Sequence, residues 1–264
     1  MRAADPALTS LLTAVPRLLA EPGRDLDSVR PLALSGLPSA ATALRLALIE
    51  DGDPGLAGTV APLDLERPEV GLGAALVYVI RARPSPLDER ALRQAERIGV
   101  PLLCLLLEPA RDVDVLPYVR ATDVVAASAI DQEALDRLGT RLAARAPGHA
   151  FALAQGLPAI RAGVARGLVR QAARHNAIVA TRGEGGPQLP RLAAEQIRLA
   201  LRLAGGSGRS PLLALGCAAA AGLVGRALVR RLRPAPVPGW LLQAVVAYAG
   251  TRAVGRATTP RSAP

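Results

Sequence analysis

Residues able to do chemistry are sparse in this 264-residue chain, and their spacing excludes more than it permits. His149 and His175 are the only histidines, and neither Cys104 nor Cys217 has a C-x-x-C partner, so no group shows zinc-ligand spacing. All 32 basic residues are arginine, which removes lysine Schiff-base chemistry and every lysine-dependent phosphate site. A catalytic triad would need a serine beside a histidine, whereas His175 lies in an arginine-rich stretch and reads as a solvated side chain. Asp112 and Asp114, like Glu50, Asp51 and Asp53, are close in sequence but fall in expected loops, where surface charge is the default reading. No enzymatic activity, metal or cofactor is expected from this inventory. The five aromatics, Tyr78, Tyr118, Phe151, Trp240 and Tyr248, are too few for a base-stacking platform, and no nucleic-acid partner is expected.

The arginines carry the positive signal. Residues 1–150 hold 16 arginines against 20 acids, while residues 151–264 hold 16 arginines against only Glu184 and Glu195. Arg166, Arg170 and Arg174 recur every fourth residue, Arg198 and Arg202 do the same, and Arg226, Arg230 and Arg233 line another expected helix face. A solvated face normally mixes in acids, so these stripes are candidates for docking on an anionic surface, a membrane or an acidic protein partner. Two uncharged runs, Ser210–Gly225 and Pro234–Thr251, are short, alanine-rich and interrupted by glycine. A buried hairpin of two helices is favoured over a membrane span of ~20 apolar residues, although insertion of Pro211–Thr251 stays open.

The elements that position these residues divide at the charge break. Pro31–Ser35, Thr59–Leu65, Ala74–Ile80, Leu102–Leu107 and Asp123–Ala126 are apolar runs expected as strands of a mostly parallel sheet covered on both faces. Between the third and fourth, Ser85 is a candidate cap, Pro86 suits the first helical position, and Asp88 and Glu89 favour the positive helix end. Leu87, Ala91, Ala95 and Ile98 are expected to share its inner face before Gly99 stops the helix. A second helix, Gln132–Ala144, places Leu135, Leu138 and Leu142 together. Alternating strands and helices predict a doubly wound α/β domain. The turn residues Ala146–His149 mark its expected end, and Leu157–Thr181, Pro187–Ala204, Pro211–Arg231 and Pro238–Arg256 read as four helices. The expected division is a helical segment over 1–27, an α/β domain over 28–147, a basic hydrophobic all-α domain over 148–256 and a disordered tail over 257–264. Met1–Leu19 lacks a long apolar core, so no signal peptide is expected.

The first strand, its turn and the following helix read Pro31-Leu-Ala-Leu-Ser-Gly36-Leu-Pro38-Ser-Ala-Ala41-Thr42-Ala43-Leu44. This resembles the first motif of Era-like GTPases, G-x-P-x-x-G-K-[ST], with Gly36 and Pro38 in place. Ala41 stands at the second glycine, Thr42 at the lysine and Ala43 at the metal-binding hydroxyl, so backbone wrapping, phosphate neutralisation and magnesium binding are all lost. Gly73–Ile80 is similar to a later GTPase strand. Pro101–Pro109 is similar to the strand that ends in the guanine-reading motif, here without asparagine, lysine or aspartate. Val125–Ala129 leading into Ile130–Leu138 is similar to the last GTPase motif, and Asp64–Arg67 aligns with D-x-x-G with arginine at the glycine.

The second half resembles the uncharacterised helical domain that often trails Era-like GTPase domains, through Leu157–Arg161, Asn176-Ala177, Leu189-Pro190 to Gln196, Arg226 to Arg231, Pro238-Gly239 and Ala247–Gly255. The resemblance implies a degenerate GTPase-like domain joined to a hydrophobic helical one. Together with the arginine stripes, the expected function is a non-catalytic regulatory or scaffold protein that docks its arginine-rich half on an anionic surface, cytoplasmic and peripheral on, or inserted in, the inner membrane face, with a possible homo-oligomer. Alternatives are a soluble helical adaptor, and residual nucleotide binding in which Arg45 or another arginine replaces the lysine.

Overall fold

The computed structural model describes residues 30–50, 60–63, 73–81, 84–108, 116, 118–181, 199–200 and 239–258, with single positions at 216, 220, 224, 227 and 231. Five parallel strands form one sheet: β1 (Leu32–Gly36), β2 (Val60–Pro62), β3 (Ala75–Arg81), β4 (Leu102–Leu107) and β5 (Val124–Ala127). Their spatial order is β2-β1-β3-β4-β5, and the register runs from Leu32 opposite Ala75 through Leu76 opposite Leu102 to Cys104 opposite Val124. All six residues of β4 are buried, which is why this strand is continuously apolar instead of alternating.

Two helix layers cover the sheet. On one face Ala33, Leu76, Tyr78, Ile80, Leu102, Cys104 and Leu106 pack with Leu92 and Ala95 of α2 (Pro86–Ile98). On the other, α1 (Pro38–Ile49) buries Leu44 and Leu48 over β1 and β3, and α3 (Gln132–Arg145) buries Leu135, Leu138 and Leu142 over β4 and β5. The chain is therefore an α/β fold with a parallel sheet, followed by helices; after Ala127 every described element is helical.

Local chemistry explains the element ends. Ser85 Oγ accepts from the Asp88 amide at 3.2 Å while Asp88 Oδ2 accepts from the Ser85 amide at 2.7 Å, a reciprocal cap at the start of α2. Gly99 ends that helix at φ +75°. Asp88 Oδ1 also accepts from the Tyr78 hydroxyl at 3.0 Å, which turns Asp88 toward the sheet. Leu87, expected on the inner face, is consequently rotated outward and 71% exposed, and Leu92 takes its place. At the start of α3, Asp131 Oδ1 accepts from the Ala134 amide at 2.8 Å. The Arg145 guanidinium at the other end of α3 lies 3.1 Å from the buried Asp123 carboxylate just before β5.

Beyond α3 the chain turns at Ala146 and continues as α4 (Pro147–Gly156), α5 (Pro158–Thr181) and α6 (Gly239–Thr258). The stretch Ala146–His149, expected as a turn, is thus a one-residue break followed by a helix whose first position is Pro147, where its fixed φ is favourable. The molecule divides into two compact units between Gly167 and Leu168, inside α5. Below that point α5 packs closely on α3: an added Cβ on Gly163 would lie 2.8 Å from Asp136 Cα, and Thr140 Oγ1 donates to the Gly163 carbonyl at 3.0 Å. Of the expected helices Pro187–Ala204 and Pro211–Arg231, only Leu199, Ala200, Gly216, Ala220, Val224, Ala227 and Arg231 are described, all of them helical.

Candidate functional site

Two places follow from the sequence: the turn after β1, and the arginine stripes. Gly36 closes β1 at φ +101°, where an added Cβ would strike the carbonyl oxygen of Val79 and lie 2.7 Å from its nitrogen. The Leu37 amide donates to the same Val79 carbonyl at 3.0 Å, and α1 starts at the next residue, Pro38. A single residue therefore separates strand from helix. Ala41, Thr42 and Ala43, aligned above with the phosphate-binding end of a loop, lie within α1, where the Ala41 amide donates to the Leu37 carbonyl at 2.8 Å. The exposed Thr42 hydroxyl donates to the Pro38 carbonyl at 2.9 Å, so it is satisfied by its own helix. Alanine at 40, 41 and 43 favours helix, and without a glycine at 41 nothing opens the backbone into a cradle.

The carboxyl edge of the sheet beside this turn is the switch point of a doubly wound strand order, the usual ligand crevice of such sheets. Here Arg81 at the end of β3 pairs with Glu108 just past β4 at 3.5 Å, both half-exposed. Glu108, at φ +51°, occupies the end of the strand aligned with the guanine-reading motif, and its amide donates to the Ala127 carbonyl at 2.9 Å. Asp64–Arg67 and Pro109 lie outside the described residues, as do Asp51, Asp53, Asp112 and Asp114. Among the described residues no group of three His, Cys, Asp or Glu side chains is placed to hold a metal ion. Cys104 is wholly buried in β4, and burial pushes its thiol up to about 12.

Three of the eight candidate arginines are described. Arg166, Arg170 and Arg174 occupy one side of α5 and are exposed. Arg166 differs from the other two, because its guanidinium pairs with the Asp136 carboxylate of α3. Arg198, Arg202, Arg226, Arg230 and Arg233 lie outside the described residues. So do the side chains of much of the run Pro211–Thr251.

Beyond Leu168, α5 and α6 run in opposite senses, Val169 against Gly255 and Asn176 against Thr251. The buried Asn176 amide donates to the buried Thr251 hydroxyl at 2.9 Å, which in turn donates to the Ala247 carbonyl at 2.8 Å. Asn176 and Ala247–Gly255, two separate pieces of the helical-domain resemblance, thus meet in one contact. Close approach requires Gly255, where an added Cβ would strike Val169.

The same helix pair carries a further arginine, Arg252 of α6. Arg252 Nη1 donates to the Tyr248 hydroxyl at 3.2 Å, and its guanidinium carbon lies 5.8 Å from the Tyr248 ring centre. The hydrogen bond from Arg252, and then the charges of Arg252, Arg174 and Arg170, hold the Tyr248 phenol below its ordinary range. Arg252 and Tyr248 were absent from the sequence-level candidates; their i, i+4 spacing was the available signal. No acid is described in the helical unit from Leu168 on. Arg170, Arg174 and Arg252 thus bring positive charge to this helix pair that no described carboxylate offsets. Among the described residues no helix is long and apolar enough to cross a membrane. The sequence matches no protein-family model and no curated protein.

Proposed function

We propose that this chain is a non-catalytic, GTPase-like regulatory or scaffold protein that docks its arginine-rich helical half on an anionic surface, the cytoplasmic face of the membrane. One observation carries the docking: Arg170 and Arg174 are exposed on α5, and Arg252 contacts Tyr248 on the α6 packed against it, in a helix pair without a described acid. Each such arginine near an anionic bilayer contributes ~1 kcal/mol, so three give ~3 kcal/mol, and salt screens the attraction over about 8–10 Å. The sheet order and the sequence resemblance support the GTPase-like ancestry. The non-catalytic part is supported by the turn at Gly36-Leu37, too short to wrap a phosphate, and by the absence of lysine from the whole chain.

Co-sedimentation of the full chain with phosphatidylcholine vesicles, with and without phosphatidylserine, tests the docking. Binding to the anionic vesicles that weakens with added salt is expected. Equal sedimentation with both compositions refutes the electrostatic reading, and sedimentation with neither moves the weight to an adaptor for an acidic protein partner. Isothermal titration with GTP and GDP in magnesium is expected to give no micromolar isotherm, and a clear one would overturn the non-catalytic reading.

A further inference from the structure

The cationic face continues into an apolar one along α6. Leu241, Val245, Tyr248 and Arg252 recur at the spacing of a single helical stripe, while Thr251, Val254 and Gly255 on the neighbouring side are buried. Leu241 and Val245 are 41% and 57% exposed, so from its N-terminal half onward the stripe presents two aliphatic side chains, a phenol, then a guanidinium. Arg170 and Arg174 are exposed on α5, the helix packed against α6 through Asn176 and Thr251. We infer that this stripe is an interfacial lipid-binding strip: α6 lies along the surface of an anionic phospholipid bilayer, Leu241 and Val245 at the acyl boundary, and Arg170, Arg174 and Arg252 on lipid phosphates.

The order of chemistries decides the occupant. An exposed guanidinium matches a phosphate in charge and in its paired N–H geometry, whatever molecule carries that phosphate. A free phosphate or a nucleic-acid backbone has nothing to offer Leu241 and Val245. A bilayer offers both within one layer, because its phosphates lie just above its acyl chains, and tyrosine with one apolar and one polar end suits the boundary between them. The net charge of residues 151–264, 16 arginines against two acids, complements an anionic leaflet. This inference rests on the membrane-docking reading and adds which residues touch lipid and at what depth.

The chain carries its own reporter, since Trp240, next to Leu241 in α6, is the only tryptophan. The full chain is titrated with phosphatidylcholine vesicles, with and without phosphatidylserine, while Trp240 emission and co-sedimentation are followed. The expected result is a blue shift and sedimentation with anionic vesicles, and no shift with inorganic phosphate or duplex DNA. R170Q/R174Q is expected to weaken vesicle affinity roughly twenty-five-fold, at about fivefold for each arginine. L241N/V245N is expected to weaken it about tenfold and to abolish the blue shift, while the salt-sensitive part of sedimentation persists. All four substitutions are at exposed positions, and unchanged circular dichroism melts confirm folding. If the wild type binds anionic vesicles while both variants bind and shift like it, the strip is overturned and the broader docking reading survives. Wild-type binding to no vesicle overturns both. Binding to duplex DNA or phosphate with the same Trp240 shift overturns the lipid assignment.

Discussion

Replacing Gly36 by alanine separates a packing turn from a nucleotide loop. The residue sits at φ +101°, a region that costs a non-glycine residue about 1–3 kcal/mol. The new Cβ would also strike the Val79 carbonyl oxygen, and relief of such a clash in a packed core costs about 1–3 kcal/mol. That carbonyl accepts the Leu37 amide at 3.0 Å, so moving β1 away from β3 forfeits a bond of about 1 kcal/mol. The loss totals about 5 kcal/mol, which for a unit of this size lowers the midpoint by about 15 °C. Thermal melts of the full chain followed by circular dichroism measure it, with Pro38→Ala, expected within about 1 kcal/mol of wild type, as the control. GTP with magnesium is expected to move the midpoint of neither protein, since a ligand stabilises a fold only by binding it. A Gly36→Ala midpoint within about 4 °C of wild type would show that the Val79 approach does not govern this turn. Nucleotide-dependent stabilisation of the wild type, lost in the variant, would assign Gly36 to a ligand.

Two further outcomes follow from buried groups. Cys104 is held from its ordinary 9.0 up to about 12 by burial first and by the Asp88 charge second, so the folded chain keeps a proton that the unfolded chain releases. The Cys104 contribution to stability is therefore fully present below pH 9.0 and is lost through the window up to about 12, by up to about 1.4 kcal/mol per pH unit. Urea titrations across that window should show the slope flattened in Cys104→Ala, and an unaltered slope would contradict the assignment. Thr251→Val leaves the buried Asn176 amide without its Oγ1 acceptor and is expected to cost about 1–3 kcal/mol. Adding Asn176→Leu should recover part of that loss in a double-mutant cycle, whereas strictly additive losses would show that the two side chains are not coupled.

Much of the α/β half is legible in the sequence because its determinants are local. The apolar runs at 31–35, 74–80, 102–107 and 123–126 match the observed strands within one residue, since a strand buried on both faces must be apolar throughout. Ser85, Pro86, Asp88 and Gly99 mark the ends of α2 for the same reason: a cap is satisfied within three or four residues of itself. The concentration of 20 acids before residue 151 and two after it is a property of the chain alone, and it leaves the excess positive charge in the helical half.

Tertiary structure decided what depends on distant partners. That Leu87 faces outward follows from the bond between Asp88 and Tyr78 on the sheet, invisible in a helical wheel that ranks residues by polarity. Arg166 is indistinguishable in sequence from Arg170 and Arg174, and only the packing of α5 on α3 gives it the Asp136 carboxylate. Gly36 reads in sequence as a turn glycine, and the fold presses its backbone against Val79, 43 residues further along the chain. Asn176 and Thr251, 75 residues apart, draw α5 and α6 together, and so bring Arg252 and Tyr248 into one helix pair with Arg170 and Arg174. Periodicity assigns a side chain to a face of its own helix. Which face meets which is settled only when apolar burial and buried hydrogen bonds are satisfied across elements at once.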